Sequence, residues 1–174
     1  TGGSHGARLF SQVIPEALAK LSEPLKARLN VVQQCRAEDL EQVKEFYKSH
    51  NIDCELATFF DDIGKRIQSA HLIIARSGAS TVNDIVNIGR PAIFVPMTLH
   101  ADQQQKHNAN LLLEKEACIM MVEDGFNAES LYNQLETLMR LPDKLEKMAQ
   151  ASASFSNPKA ANNLADLVEK TIAQ

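Results

Sequence analysis

Leu72-Ile73-Ile74-Ala75-Arg76-Ser77-Gly78-Ala79-Ser80-Thr81-Val82-Asn83-Asp84 decides how the rest of the chain is read. Four apolar residues make a short buried strand, a glycine turn follows, and apolar positions then recur at helical spacing as far as Gly89. A strand that passes through a tight turn into a helix is one βα unit. The alternation recurs on both sides of it. Strands are expected over 30–34, 54–58, 72–75, 92–95 and 118–122, each short, apolar and bounded by polar or turn residues. Helical patterns fill 7–21, 38–49, 63–69, 81–88 and 103–115. The tail reads as helix over 127–140, 143–154 and 159–173, with Pro142 and Pro158 placed where a first turn tolerates proline. The expected fold class is therefore α/β: a Rossmann-like parallel sheet with helices on both faces and a helical tail, forming one domain over 1–174.

Bulk properties narrow the function. A chain of 174 residues with 44% hydrophobic content suffices for one sizeable core. The net charge of -4, with Lys and Arg scattered singly, lacks the basic field that nucleic acid requires. Apolar stretches fall far short of the roughly 20 residues that cross a bilayer, so any membrane contact is expected to be peripheral. Cys35, Cys54 and Cys118 have no CxxC or Cys/His spacing, which points to free thiols in a reducing compartment and to no metal site. Thr1-Gly2-Gly3-Ser4 has the composition of a turn that follows a strand, so a strand and a partner domain are expected ahead of it.

Four loops could carry chemistry. Gly2-Gly3-Ser4-His5-Gly6-Ala7-Arg8 opens a helix with glycines that permit close backbone approach to a phosphate, or else forms a plain βα turn. A dinucleotide fold would need GxGxxG and an acidic residue ending the second strand, where this chain has Gln33-Gln34-Cys35. In the second loop, the N–H groups around Ala79, Ser80 and Thr81 suit a diphosphate and Asp84 suits ribose hydroxyls. Thr81-x-x-Asp84 is alternatively a capping box. The third, 96–105, ends in Gln103-Gln104-Gln105, whose amides both donate and accept and so suit sugar hydroxyls. There Asp102 and Gln105 alternatively cap the helix, and His100 reads as an ordinary loop histidine. In the fourth, Phe59-Phe60-Asp61-Asp62-Ile63, the aspartates are expected to cap, and the strand end offers a place for a planar base. All four lie at carboxyl ends of strands, the edge where open α/β sheets bind ligands.

Gly2-Gly3-Ser4, then Arg76-Ser77-Gly78-Ala79 with Thr81 and Asp84, then Gly89-x-Pro91 through Asp102-x-Gln104-Gln105 and Asn108-Ala109, resemble the MurG family in order and spacing. The resemblance implies the C-terminal, donor-binding half of a GT-B glycosyltransferase that uses UDP-N-acetylglucosamine. It implies Ser4 near the phosphates, the backbone around Phe60 on uracil and Asp84 on the ribose. Ala79, Ser80 and Thr81 would hold the diphosphate, Gln104 and Gln105 the sugar hydroxyls, and Arg76 and Ile63 would line the pocket. It further implies no cofactor, a lipid-linked muramyl-pentapeptide acceptor, and a site at the cytoplasmic face of the bacterial plasma membrane. The catalytic base would lie in an N-terminal domain, leaving this chain inactive alone. The family usually has Gln at the place of His5 and Glu at that of Asp84, and the shorter Asp requires a closer helix or a bridging water. Two other readings stay open: an enzyme like UDP-N-acetylglucosamine 2-epimerase, and a non-catalytic α/β binding module.

Overall fold

The computed structural model describes residues 1–3, 7–97 and 104–172. Its strands are β1 (Val31–Gln34), β2 (Cys54–Ala57), β3 (Ile73–Ala75), β4 (Ala92–Phe94) and β5 (Cys118–Met120), and all their pairings are parallel. They are interleaved with α1 (Arg8–Ala19), α2 (Glu23–Lys26), α3 (Leu40–Ser49), α4 (Ile63–Ser69), α5 (Ala79–Ile88) and α6 (Gln104–Glu114). The tail consists of α7 (Ala128–Arg140), α8 (Pro142–Ala153) and α9 (Ala160–Ile172). The short α2 was not expected from the sequence.

Alternation along the strands explains why helices cover both faces. In a strand, successive side chains point to opposite sides. Ala92 and Phe94 of β4 enter a core with Val82, Ile85, Val86, Ala109 and Leu112, whereas Ile93 and Val95 enter a second core with Phe10, Tyr47, Leu131 and Leu138. Ile73 against Ile74 in β3, and Cys118 against Ile119 in β5, divide in the same way. Hence α5 and α6 lie on one face, and α1, α3 and α7 on the other.

The sheet is not continuous among the described residues. β1 pairs only with β2, and β3, β4 and β5 form a separate three-stranded unit. Thr1 links the two parts: its nitrogen donates to Ile74 O at 2.7 Å and Arg76 N donates to Thr1 O at 3.3 Å. Those two bonds bracket Ala75 as a parallel strand neighbour would. Toward the amino ends, a slot of about 650 Å³ separates β1 from β3, with Val31, Leu72, Ile74, Ile14 and Leu138 among its walls.

Gly89 ends α5 with φ +74°. A Cβ there would stand 2.9 Å from Ala153 Cβ of α8, so both backbone conformation and close helix packing require glycine. α7 starts with a reciprocal capping box between Asn127 and Ser130. α9 buries no side chain and leaves Leu164, Leu167, Val168 and Ile172 exposed.

Candidate functional site

The carboxyl ends of β1, β2 and β3 meet around Gln34. Its Oε1 accepts from Thr1 Oγ1 at 2.9 Å and from Gly2 N at 3.2 Å, and its Nε2 donates to Gly3 O at 2.8 Å and Thr58 O at 3.1 Å. One buried amide thus fastens the Gly2-Gly3 turn, where Gly3 takes φ +82°, to the exits of β1 and β2. In the sequence, Gln34 speaks only against a dinucleotide site. The available signal was an amide at the carboxyl end of an otherwise apolar strand, where a buried polar group needs partners.

Beside Gln34 lies a pocket of about 150 Å³, lined by Thr1, Gly3, Phe59, Phe60, Ile63, Ile67, Thr81 and Asp84 as well as Gln34 itself. Phe60, Ile63, Thr81 and Asp84, all expected in the site, are therefore brought together. The Phe60 ring is buried and braced: the Arg66 guanidinium carbon stands 4.2 Å from its centroid. Arg66 is itself clamped, donating to both Glu55 oxygens at 2.8 Å and to Asp62 Oδ1 at 2.6 Å. These bonds hold the Glu55 and Asp62 carboxyls below their usual range. Asp62 occupies the N-cap position of α4, but its side chain makes no capping bond. The expected cap is replaced by the ion pair because Arg66, one turn along, offers a charged donor in place of a backbone N–H.

The N-cap of α5 is Gly78, and the first bond into the helix is Val82 N to Gly78 O at 3.0 Å. The N–H groups of Ala79, Ser80 and Thr81 precede that bond, and Ala79 and Ser80 are exposed. They form a place where the helix dipole favours an anion. Thr81 is the third residue of the helix, so the alternative capping box of Thr81 and Asp84 does not form. Asp84 projects from an exposed position at the pocket's edge.

Arg76, expected to line the pocket, lies elsewhere. Its Nη1 donates to Val95 O at 3.0 Å, its Nη2 donates to Glu123 Oε1 at 2.5 Å, and its guanidinium carbon lies 5.2 Å from the Phe10 ring centroid. Only 7% exposed, it joins β3 to the exit of β4 and to the turn after β5. An arginine beside a phosphate-friendly turn resembles a ligand contact in sequence; Glu123, 47 positions away, is what claims it.

Gln105 also has a structural task. Its Oε1 accepts from Met97 N at 3.0 Å, and its backbone oxygen accepts from Ser77 Oγ at 2.7 Å. Gln104 opens α6 from an exposed position. Ser4, His5, His100, Asp102 and Gln103 fall outside the described residues, and with them the readings placed on those side chains.

The model of the glycosyltransferase family 28 C-terminal domain matches residues 1–164. The chain belongs to glycosyltransferase family 28. Within this family it is 46% identical over 171 residues to the UDP-N-acetylglucosamine--N-acetylmuramyl-(pentapeptide) pyrophosphoryl-undecaprenol N-acetylglucosamine transferase of Caulobacter vibrioides (strain NA1000 / CB15N), covering 98% of this chain and 47% of that protein. The identically named protein of Erythrobacter litoralis (strain HTCC2594) is 43% identical over 169 residues, covering 97% of this chain and 42% of the relative. A crystal structure of Acinetobacter baumannii MurG superposes with a TM-score of 0.88 at 31% identity, covering 98% of this chain and 48% of that one. The glycosyltransferase VinC, 19% identical with a TM-score of 0.63 over 95% of this chain and 40% of its own, shares the fold. These findings bear out the resemblance to the MurG family and the parallel α/β architecture of a GT-B C-terminal half. The chain spans about half the length of the curated relatives it matches.

Proposed function

We propose that this chain is the donor-binding half of an inverting glycosyltransferase. The complete enzyme would move N-acetylglucosamine from UDP-N-acetylglucosamine to the C4 hydroxyl of a lipid-linked muramyl-pentapeptide, converting lipid I to lipid II in peptidoglycan synthesis. One observation carries the reading: Phe60 and Ile63 from one βα junction, and Thr81 and Asp84 from another, line a single pocket beside the N-terminus of α5.

In this reading the uracil lies against Phe60 and Ile63, with the backbone around Phe60 reading its edge. Asp84 accepts from the ribose hydroxyls, directly or through a water. The N–H groups of Ala79, Ser80 and Thr81 hold the diphosphate, and Ser4 adds a phosphate contact. Gln104 meets the sugar hydroxyls, joined by the donor side of the Gln105 amide. Arg76 has no ligand contact and serves as the brace beneath the turn. As the glycosidic bond breaks, negative charge grows on the departing UDP, and a helix N-terminus already aimed there stabilises it without reorganising. The base that deprotonates the acceptor is assigned to the half of the longer relatives that this chain does not match. The lipid-linked acceptor places the whole enzyme at the cytoplasmic face of the plasma membrane as a peripheral protein. No helix among the described residues is long and apolar enough to cross a membrane.

Calorimetric titration with UDP, UDP-N-acetylglucosamine, ADP and NAD tests this. Binding of the uridine nucleotides alone is expected, with Asp84→Ala weakening both by roughly tenfold or more, the worth of a hydrogen bond to a charged group. Gln104→Ala should weaken only the sugar nucleotide. Equal binding of ADP would sink the assignment, failure to bind any of the four would favour a binding module, and epimerisation of UDP-N-acetylglucosamine without acceptor would favour the 2-epimerase-like reading.

A further inference from the structure

A ligand that spans the N-terminus of α5 and the start of α6 can be held only if the two helices keep a fixed offset. Three hydrogen bonds fix it. Ser77, wholly buried at the end of β3, donates through Oγ to Gln105 O at 2.7 Å. Its own carbonyl accepts from Asn108 Nδ2 at 3.0 Å. Met97 N, just beyond β4, donates to Gln105 Oε1 at 3.0 Å. Gln105 and Asn108 are three residues apart and so share one face of α6. That face is tied to the turn carrying Gly78 and to the β4 exit, while neighbouring Gln104 stays exposed.

The bonds are more than satisfaction of buried groups in one element. Each joins α6 to one of the two segments that leave β3 and β4, and none lies within a helix or strand. Both the side chain and the carbonyl of Gln105 are engaged, which holds the first turn of α6 in place.

We propose that Ser77 and Asn108 are positioning residues that set the sugar-facing start of α6 against the diphosphate-facing start of α5, so that their loss affects recognition of the sugar and not of the nucleotide. This rests on the donor-site reading above. Site geometry is sensitive to displacements of about 1 Å, which can cost on the order of a hundredfold where a reacting group is misplaced. For binding, a loss of about tenfold is expected, the scale of one hydrogen bond with its buried partner left unpaired.

The test is titration of the chain and of Asn108→Ala, Asn108→Leu and Ser77→Ala with UDP and with UDP-N-acetylglucosamine, with circular dichroism confirming that each variant is folded. Asn108→Leu keeps about the size of the side chain, adds no charge and removes the donor to Ser77 O, so it should behave as Asn108→Ala does. The expected result is a roughly tenfold loss of UDP-N-acetylglucosamine affinity, with UDP affinity changed by less than about twofold. Parallel losses for both ligands would mark a merely structural role and overturn the proposal, as would unchanged affinities in all folded variants. If the parent chain binds neither uridine nucleotide, the donor-site reading fails first and the positioning role falls with it.

Discussion

The two walls of the site are held in opposite ways. At the β2–α4 junction, Phe60 is braced from outside by Arg66, whose partners Glu55 and Asp62 are exposed to solvent. At the β3–α5 turn, Arg76 and Ser77 hold the chain from inside, with side chains of Arg76 and Glu123 only 9% and 18% exposed. An exposed ion pair is screened by water and salt and adds little to stability. A buried one is costly to break because the abandoned charge stays buried. The wall at the β2–α4 junction can therefore tolerate change, whereas the turn before α5 is bound to the core and to folding itself.

The contrast is broken most directly at Arg76. Arg76→Ala should lower folding stability by about 3 kcal/mol, the lower end for stranding one member of a buried pair, read as a fall in the urea midpoint. Arg76→Lys should recover only part of this, since an ammonium lacks the fork that reaches two acceptors at once. Gln34→Ala is expected to cost less, roughly 2 kcal/mol, because the groups it leaves lie partly within reach of water. Its more telling effect is on binding: the Gly2-Gly3 turn loosens, and UDP affinity should fall in calorimetry although Gln34 has no free hydrogen-bonding capacity to offer a ligand.

The smallest effect belongs to the outer wall. Arg66→Gln should leave the urea midpoint unchanged within measurement and alter only the order of the Phe60 ring. Because Arg66 depresses the Glu55 and Asp62 carboxyls, its clamp is complete above their ordinary range and is lost as pH falls through the depressed values. Carboxyl-carbon NMR should find both titrations below the ordinary range in the parent and moved upward in Arg66→Gln. Unmoved titrations would show that Arg66 is not their partner in solution.

What could be read before the structure follows the same division. The strands were legible because a parallel sheet covered on both faces writes its strands as unbroken apolar runs, as Ala92-Ile93-Phe94-Val95 does. α5 starts two residues ahead of the expected Thr81, since Ala79 and Ser80 have the composition of a turn and Gly78 is the cap. Asp84 and the Phe59–Ile63 junction are legible from their place at strand ends, the resemblance adds the separate roles of Phe60 and Ile63, and all three line one pocket because β2 and β3 end at the same edge. The destination of Arg76 was not legible. Nothing local distinguishes an arginine that leaves a turn toward a ligand from one that turns back toward Glu123. The task of Gln34 is hidden for a related reason: its four partners come from two other parts of the chain, residues 1–3 and Thr58, that only folding assembles.

The meeting of Gly89 with Ala153 bears on which changes the molecule can accept over generations. One residue there serves two ends, closing α5 in a left-handed conformation and letting α8 lie against it. Any side chain at 89 meets both penalties at once, a positive φ and an approach of 2.9 Å to Ala153 Cβ. Trimming Ala153 to glycine would remove the second and leave the first. The position is thus closed to substitution in a way that no compensating change in α8 reopens.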